Sequence, residues 1–207
     1  MTDPSHVVAD LTALERLYGT PSEGSIAKEV DFVHPLYRRL IEAAPFAVLA
    51  TSGPAGLDAS PRGDGPGFIV VEYEKTLLLP DRRGNNRTDS LRNIVGDPRV
   101  ALLFLVPGIG ETLRVNGRAS ISIDPALLRR FAVAGKEPRS VLVIRVETVF
   151  FQCSRAVVRA DLWNPEKLVS RAALPSTGTI LAALSGSKLG GEDYDRSQPE
   201  RVKTTLY

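Results

Sequence analysis

The sequence predicts a mainly β protein, a closed or sandwiched antiparallel domain with few helices. Three observations lead there. Between residues 46 and 153 the apolar residues recur mostly with a period of two, in seven separate stretches. Only two short stretches in that range read as helices, so the alternation of strand and helix that builds a parallel sheet is missing. The length, 207 residues, accommodates one sizeable core.

The elements follow in order. Residues 1–33 read as an arm or a pair of short helices: in "DLTALERLYG" Leu11, Leu14 and Leu17 recur at helical spacing and Gly19 ends the run. "HPLYRRLIEAA" predicts a helix with Pro35 in its first turn and Leu36, Leu40 and Ile41 on one face. Strands are expected near 46–51, 57–61, 67–73, 76–80, 99–106, 111–122 and 141–153. In "ETLRVNGRASISI", Leu113, Val115, Ala119, Ile121 and Ile123 face inward, Arg114, Asn116 and Arg118 face outward, and Asn116-Gly117 marks a bulge or tight turn. The two short helices fall at 88–95, with Thr88 as N-cap and Leu91 and Ile94 buried, and at 125–134. Residues 166–207 read as an irregular extension with one weak helix at 178–185, packing on the barrel or on a partner subunit.

Composition excludes several functions. The net charge of +2 is too small for a protein that neutralises many nucleic-acid phosphates. The longest aliphatic run, Val100 to Val106, is stopped by Pro107 and is too short to span a bilayer. A single cysteine, Cys153, permits no internal disulfide, and no apolar leader follows Met1, so a reducing cytoplasm is the expected location. Cys153 closes an apolar strand and reads as a small core residue. His6 and His34 lack other ligands at metal-binding spacing, so no metal site is expected. The "GDGPG" run lacks the strand–turn–helix context of a dinucleotide loop. A chain this poor in acid, base and nucleophile candidates needs a cofactor to supply reactivity.

Two segments have the chemistry to hold one. In "DASPRGDG", Pro61 and the glycines deform a strand, and Ser60 and Arg62 offer donors beside exposed backbone; a β-turn with a solvated arginine is the alternative. In "LPDRRGNNRTDSLRNI" a buried strand runs into a loop and then a helix N-terminus, which presents unpaired amides and partial positive charge to an anion. Arg82, Arg83 and Arg87 add charged forks there, and Asn85, Asn86 and Ser90 add neutral donors. Asp89 opposes this, because it can occupy the helix terminus itself.

These segments, with "HPLYRRLIEAAPFAVLATS", "DPRVALLFLVPG", "ETLRVNGRASI" and "CSRAVVRADLWNP", resemble the FMN-binding split-barrel proteins related to pyridoxamine 5'-phosphate oxidase, over roughly residues 34–165. The resemblance implies a six-stranded antiparallel split barrel with short flanking helices, and a homodimer with FMN in each interface cleft. It places Ser60, Pro61, Arg62 and Gly63 against the flavin, and Leu79, Pro80 and Asp81 near the ring edge. The phosphate and ribityl chain fall to Arg62, Arg82, Asn85, Asn86, Arg87 and Ser90. Arg155, Arg159 and Trp163 are expected from the partner subunit, whose interface should include the strand at 141–153. The chain departs from vitamin B6 oxidases in having one tryptophan and no histidine after His34. The expected function is therefore FMN-dependent oxidation or reduction of an unidentified small molecule. A non-enzymatic flavin-binding protein, or the same fold with a deazaflavin or haem, is the alternative.

Overall fold

In a computed structural model, residue 3 and residues 6–54 and 56–207 are described. Seven strands form one antiparallel sheet: β1 (Phe46–Gly53), β2 (Gly56–Gly63), β3 (Val70–Tyr73), β4 (Thr76–Pro80), β5 (Arg99–Leu105), β6 (Thr112–Ser122) and β7 (Val141–Gln152). Their order is β2-β1-β5-β6-β7-β4-β3. All seven stretches read from the apolar pattern are strands. The six strands of the split barrel implied by resemblance are corrected to seven, and the sheet is not closed: among the described residues no ladder joins β2 to β3.

Each strand is shaped by its sequence. In β6 the alternation buries Leu113, Val115 and Ala119 and exposes Arg114 and Arg118. Ile123 lies beyond the strand and is exposed, against expectation. The β6–β7 register shifts at Asn116/Gly117, where Thr148 and Val146 are the successive partners and Glu147 is the extra residue. A Cβ on Gly117 would lie well inside van der Waals distance of the Arg145 carbonyl oxygen, so only glycine lets the strands approach here. β2 keeps an unbroken register with β1, from Gly53↔Gly56 to Phe46↔Gly63, so the expected deformation is absent. Pro61 is tolerated because β2 is an edge strand and needs no outward N–H.

The core lies on the inner face of the sheet. Leu49, Leu77, Leu79, Leu102, Phe104, Leu113 and Ile144 are among its largest sealed side chains. Burying each such side chain contributes roughly 1.5–3 kcal/mol. β7 contributes Val141, Leu142, Ile144, Val146 and Val149 to the buried interior, so it is covered within the chain and does not itself require a partner. Cys153 is exposed, not a core residue, because it follows the strand's end. Cys153→Ala is accordingly expected to leave the melting temperature within about 1–2 °C of the parent, inside the ±0.5 kcal/mol of surface changes; thermal unfolding checks this.

Helices α1 (Leu11–Tyr18), α2 (Glu23–Ala27) and α3 (Pro35–Ala43) precede the sheet. α1 starts with the Asp10 side chain accepting from the Ala13 N–H at 2.8 Å and ends at Gly19, whose φ of 71° favours glycine. Pro35 opens α3, with Ile41 buried and Leu40 packed on the core; Leu36 faces solvent, contrary to the expected face. α4 (Asp89–Gly96) and α5 (Pro125–Arg130) are the two expected interruptions of the strand series. α6 (Arg155–Ala160), α7 (Thr177–Leu184) and α8 (Glu192–Thr204) follow β7.

Sequence reasoning missed α8 because Pro199 lies inside it. The overlooked signal was its charge order, with Glu192, Asp193 and Asp195 in the first turn and Arg201 and Lys203 in the last. Asp195 also joins α8 to α7, accepting from the Gly178 N–H (2.7 Å) and Ser176 Oγ (2.5 Å). Among the described residues no helix is long and apolar enough to cross a membrane.

Candidate functional site

β2 stands at one end of the strand order and β4 next to the other end, yet residues from β2 and from the loop after β4 line the same cleft. The sheet therefore curls until its two ends face each other. A cleft of about 490 Å³ lies along the gap between them. Its walls are Asp58, Ser60 and Arg62 on β2, the loop 81–88 after β4, the first turn of α4, and Arg139 and Ser140 just before β7. The volume falls within the roughly 300–1,000 Å³ of small-molecule sites.

α4 is held in place by its buried face. Ile94 is in the core and Leu91 packs on it, as the sequence predicts, while Asn93 reaches across to donate to Thr51 Oγ1 at 3.1 Å. Thr88 is the N-cap by position, but its side chain makes no capping bond and its φ is 57°, a left-handed conformation costly for a β-branched residue. Asn86 also has positive φ, at 60°. Two such residues in one short loop bend the backbone around the cleft. Neither backbone nor side-chain acceptors among the described residues take the amides of residues 89–91, which leaves those donors for an anion.

Ser90, 2% exposed, is the link between α4 and β2. Ser60 Oγ and Ser90 Oγ lie 2.7 and 2.5 Å from Asp58 Oδ2. Ser90 Oγ is also 3.0 Å from Ser60 Oγ, so the two hydroxyls and the carboxylate form one network. Ser90 then accepts from Arg62 Nη2 at 3.2 Å. The hydroxyls of Ser90 and Ser60, and with them the Arg62 charge, hold the Asp58 carboxyl below its ordinary pKa. Arg62 Nη1 donates to the Pro61 carbonyl at 3.0 Å, whereas its Nε is buried without a partner among the described residues. A buried guanidinium donor left unpaired beside a cleft is a costly arrangement that an anionic ligand would relieve.

The loop is less free than its sequence implies. Arg82 is taken by a nearly buried ion pair with Asp64 (2.7 Å) and by the Phe131 carbonyl (2.6 Å). Arg87 pairs with Asp89 while staying mostly exposed, and its N–H donates to Asn85 Oδ1 at 3.0 Å. Asn86 accepts from Arg139 Nη1 at 2.9 Å. Burial raises the Asp81 carboxyl pKa, with Arg62 and Arg139 opposing it more weakly. An acid with a raised folded-state pKa costs stability once pH exceeds its unfolded value, near about 4. Asp81→Asn is thus expected to melt higher than the parent at pH 7 and equally near pH 3, a difference thermal unfolding at the two pH values would show.

Of the residues expected from sequence, Ser60, Arg62, Asp81, Arg82, Asn85, Asn86, Arg87 and Ser90 line the cleft. Pro61, Gly63 and Pro80 line a smaller adjoining hollow of about 190 Å³ with Phe68. Leu79 is sealed in the core and lines neither space. Arg155 and Arg159 lie on the exposed side of α6, and the Trp163 indole N–H donates to the Ile109 carbonyl at 2.7 Å; none of the three lines this chain's cleft. Sequence reasoning missed Asp58, Arg139 and Ser140. The last two arrive through topology: the pair Pro80↔Val141 sets the start of β7 beside the end of β4. Among the described residues no three His, Cys, Asp or Glu side chains gather as a metal site would require.

Five arginines against three aspartates, an open helix N-terminus and a curled antiparallel sheet define the site. The family described as pyridoxamine 5'-phosphate oxidase matches residues 33–153, more than half of the chain and all seven strands. The chain belongs to the pyridoxamine 5'-phosphate oxidase family. Similar solved structures include HupZ from Group A Streptococcus, 20% identical over 56% of this chain and 91% of that one, with a TM-score of 0.47. General stress protein 26 from Bacillus anthracis is 19% identical over 55% and 88%, with a TM-score of 0.42. An FMN-binding protein from Syntrophomonas wolfei is 12% identical over 68% and 95%, with a TM-score of 0.42. No curated protein matches the chain.

Proposed function

We propose that this member of the pyridoxamine 5'-phosphate oxidase family binds FMN in the cleft and acts as an FMN-dependent oxidoreductase on a small molecule. The observation that carries the reading is the convergence of Arg62, Arg83, Arg87 and Arg139 with the open amides of α4 on one cleft. The donor set fits a phosphate monoester, and Arg62 Nε is a further donor without an acceptor among the described residues.

Within this reading Arg87, Arg139 and the α4 amides hold the phosphate. Ser60 and Ser90, tied to Asp58 and to each other, brace the cleft wall beside the phosphate. The smaller hollow beside Pro61, Gly63 and Pro80 has the backbone that a flat ring can approach. Burial favours the neutral form of the Asp81 carboxyl at the cleft wall, against the opposing charges of Arg62 and Arg139. When bound, the flavin would supply hydride transfer; the chain's part is binding, orientation and exclusion of water.

The homodimer belongs to the same proposal. On the outer face of β1 and β5, Phe46↔Leu105, Val48↔Leu103 and Ala50↔Ala101 are directly paired and only half-buried or exposed. A solvated sheet face would carry polar residues there. A second copy of the chain covers this patch in our reading, and light scattering of a monomer that still holds flavin would remove it. The cofactor itself is tested by the absorption spectrum of the purified protein and mass spectrometry of what it releases. FMN is the expected product; protein that purifies colourless and takes up no added FMN overturns the reading.

A further inference from the structure

Beside the main cleft lies a second pocket of about 220 Å³, lined by Arg82, Arg83, Lys136, Glu137, Arg139 and Tyr207, with Pro138 between. Arg82, Arg83 and Arg139 line both spaces, so the two are joined by a wall of arginine. Four cations line it with the Glu137 carboxylate. Among the described residues, Arg82 is the one of the four in an ion pair, with Asp64. Arg139 donates to Asn86 Oδ1 (2.9 Å) and Lys136 to the Tyr207 main-chain oxygen (3.2 Å). Arg83 has no hydrogen bond or ion pair among the described residues.

The pocket is also braced. Arg82 lies over the Tyr207 ring at 5.6 Å, and the Tyr207 hydroxyl donates to Asp64 Oδ1 at 2.6 Å. Asp64 thereby holds Arg82 from one side and Tyr207 from the other. Arg83 and Arg139, neither in an ion pair among the described residues, stand with Lys136 beside a fixed aromatic floor and attract an anion, and the volume, below the roughly 300 Å³ of the smallest drug-sized sites, suits a small charged group better than a second ring system.

We propose that this pocket is a second anion site, which receives a phosphoryl group additional to the one in the main cleft. The proposal rests on the phosphate reading of the main cleft for its neighbour, but not for its own charge. Two sources share this chemistry: a flavin whose chain continues to a second phosphate, and a separate phosphorylated molecule.

The experiment titrates the whole chain with FMN, with FAD, and with inorganic pyrophosphate added to the FMN-loaded protein, for the parent and for Lys136→Gln. Lys136 lines the second pocket and not the first. FMN affinity is expected to stay within about twofold, because Lys136 touches nothing in the main cleft, while the ligand with the second phosphoryl group loses about tenfold, the effect of one charge-assisted contact. Loss confined to FAD assigns the group to an extended flavin; loss confined to pyrophosphate assigns it to a separate molecule; either supports the site. Equal titrations of FAD and of pyrophosphate in parent and variant overturn it. Glu137→Gln, at a residue that lines the second pocket and not the first, serves as the second variant should Lys136→Gln melt early, and is expected to tighten the same ligand by about two- to fivefold with FMN unchanged. If the parent takes up no flavin at all, pyrophosphate is titrated into the unliganded protein. Binding that depends on Lys136 then supports the pocket while the flavin reading falls, and binding that does not overturns both.

Discussion

Replacing Arg87 with alanine is expected to weaken FMN binding by roughly tenfold while leaving riboflavin, which lacks the phosphate, unchanged. A charge-assisted hydrogen bond is worth about 1.5–3 kcal/mol, and each 1.4 kcal/mol is tenfold in affinity. The lower end applies because Arg87 already has a partner in Asp89. A ligand phosphate must compete with that carboxylate, so Asp89→Asn should act with the opposite sign. Removing the competitor should raise FMN affinity by a factor of about two to five, the scale of an exposed ion pair. Fluorescence titration of both flavins into both variants is the measurement. Equal losses for FMN and riboflavin in Arg87→Ala would show that the residue acts through the loop's fold and not on a phosphate.

Gly117→Ala is expected to cost about 3 kcal/mol of stability, the upper part of the range for overpacking a well-packed site. The added methyl would meet the Arg145 carbonyl oxygen, which cannot swing aside as a side-chain end could. Two long strands, β6 and β7, would have to part at their bulge. For a chain of this size the melting temperature should fall by roughly 6–12 °C. Gly24→Ala is the control, since no atom lies within 4 Å of its added methyl. It should leave stability unchanged or slightly higher. A parent-like urea midpoint for Gly117→Ala would mean that the strands pass each other less closely than described.

The sheet was legible because its strands bury one face and so keep a period of two; the alternation alone assigns Leu113, Val115 and Ala119 inward. The bulge was legible from Asn116-Gly117, since glycine amid a good strand has few other uses. The same local logic failed where a neighbour decides. Ile123 continues the alternation of β6 but lies beyond its last pairing, and Leu36 has the spacing of a buried residue on a helix whose other side faces the core. The half of the site on one continuous segment, from Asp81 to Ser90, could be read from donors and a helix start. Arg139 and Asp58 could not, because the curl of the sheet brings them from 53 positions after Asn86 and 32 before Ser90. Nor does local sequence reveal that Arg82 is spent on Asp64, or that two serine hydroxyls converge on one carboxylate.

Because β2 is an edge strand, its amides are expected to exchange with solvent ahead of those in the middle of the sheet. One side of β2 is paired with β1, and the other faces the cleft and solvent. Its link to the far wall is a chain of side-chain bonds through Ser90 and Arg62. Fraying of β2 therefore opens the cleft without disturbing β5, β6 or β7, whose amides exchange only when the central sheet comes apart. A ligand that spans the gap ties β2 to the loop after β4, and slows exchange in residues 56–63 far more than in the middle of the sheet. The protection pattern would then map the ligand's two ends onto the strands that it joins.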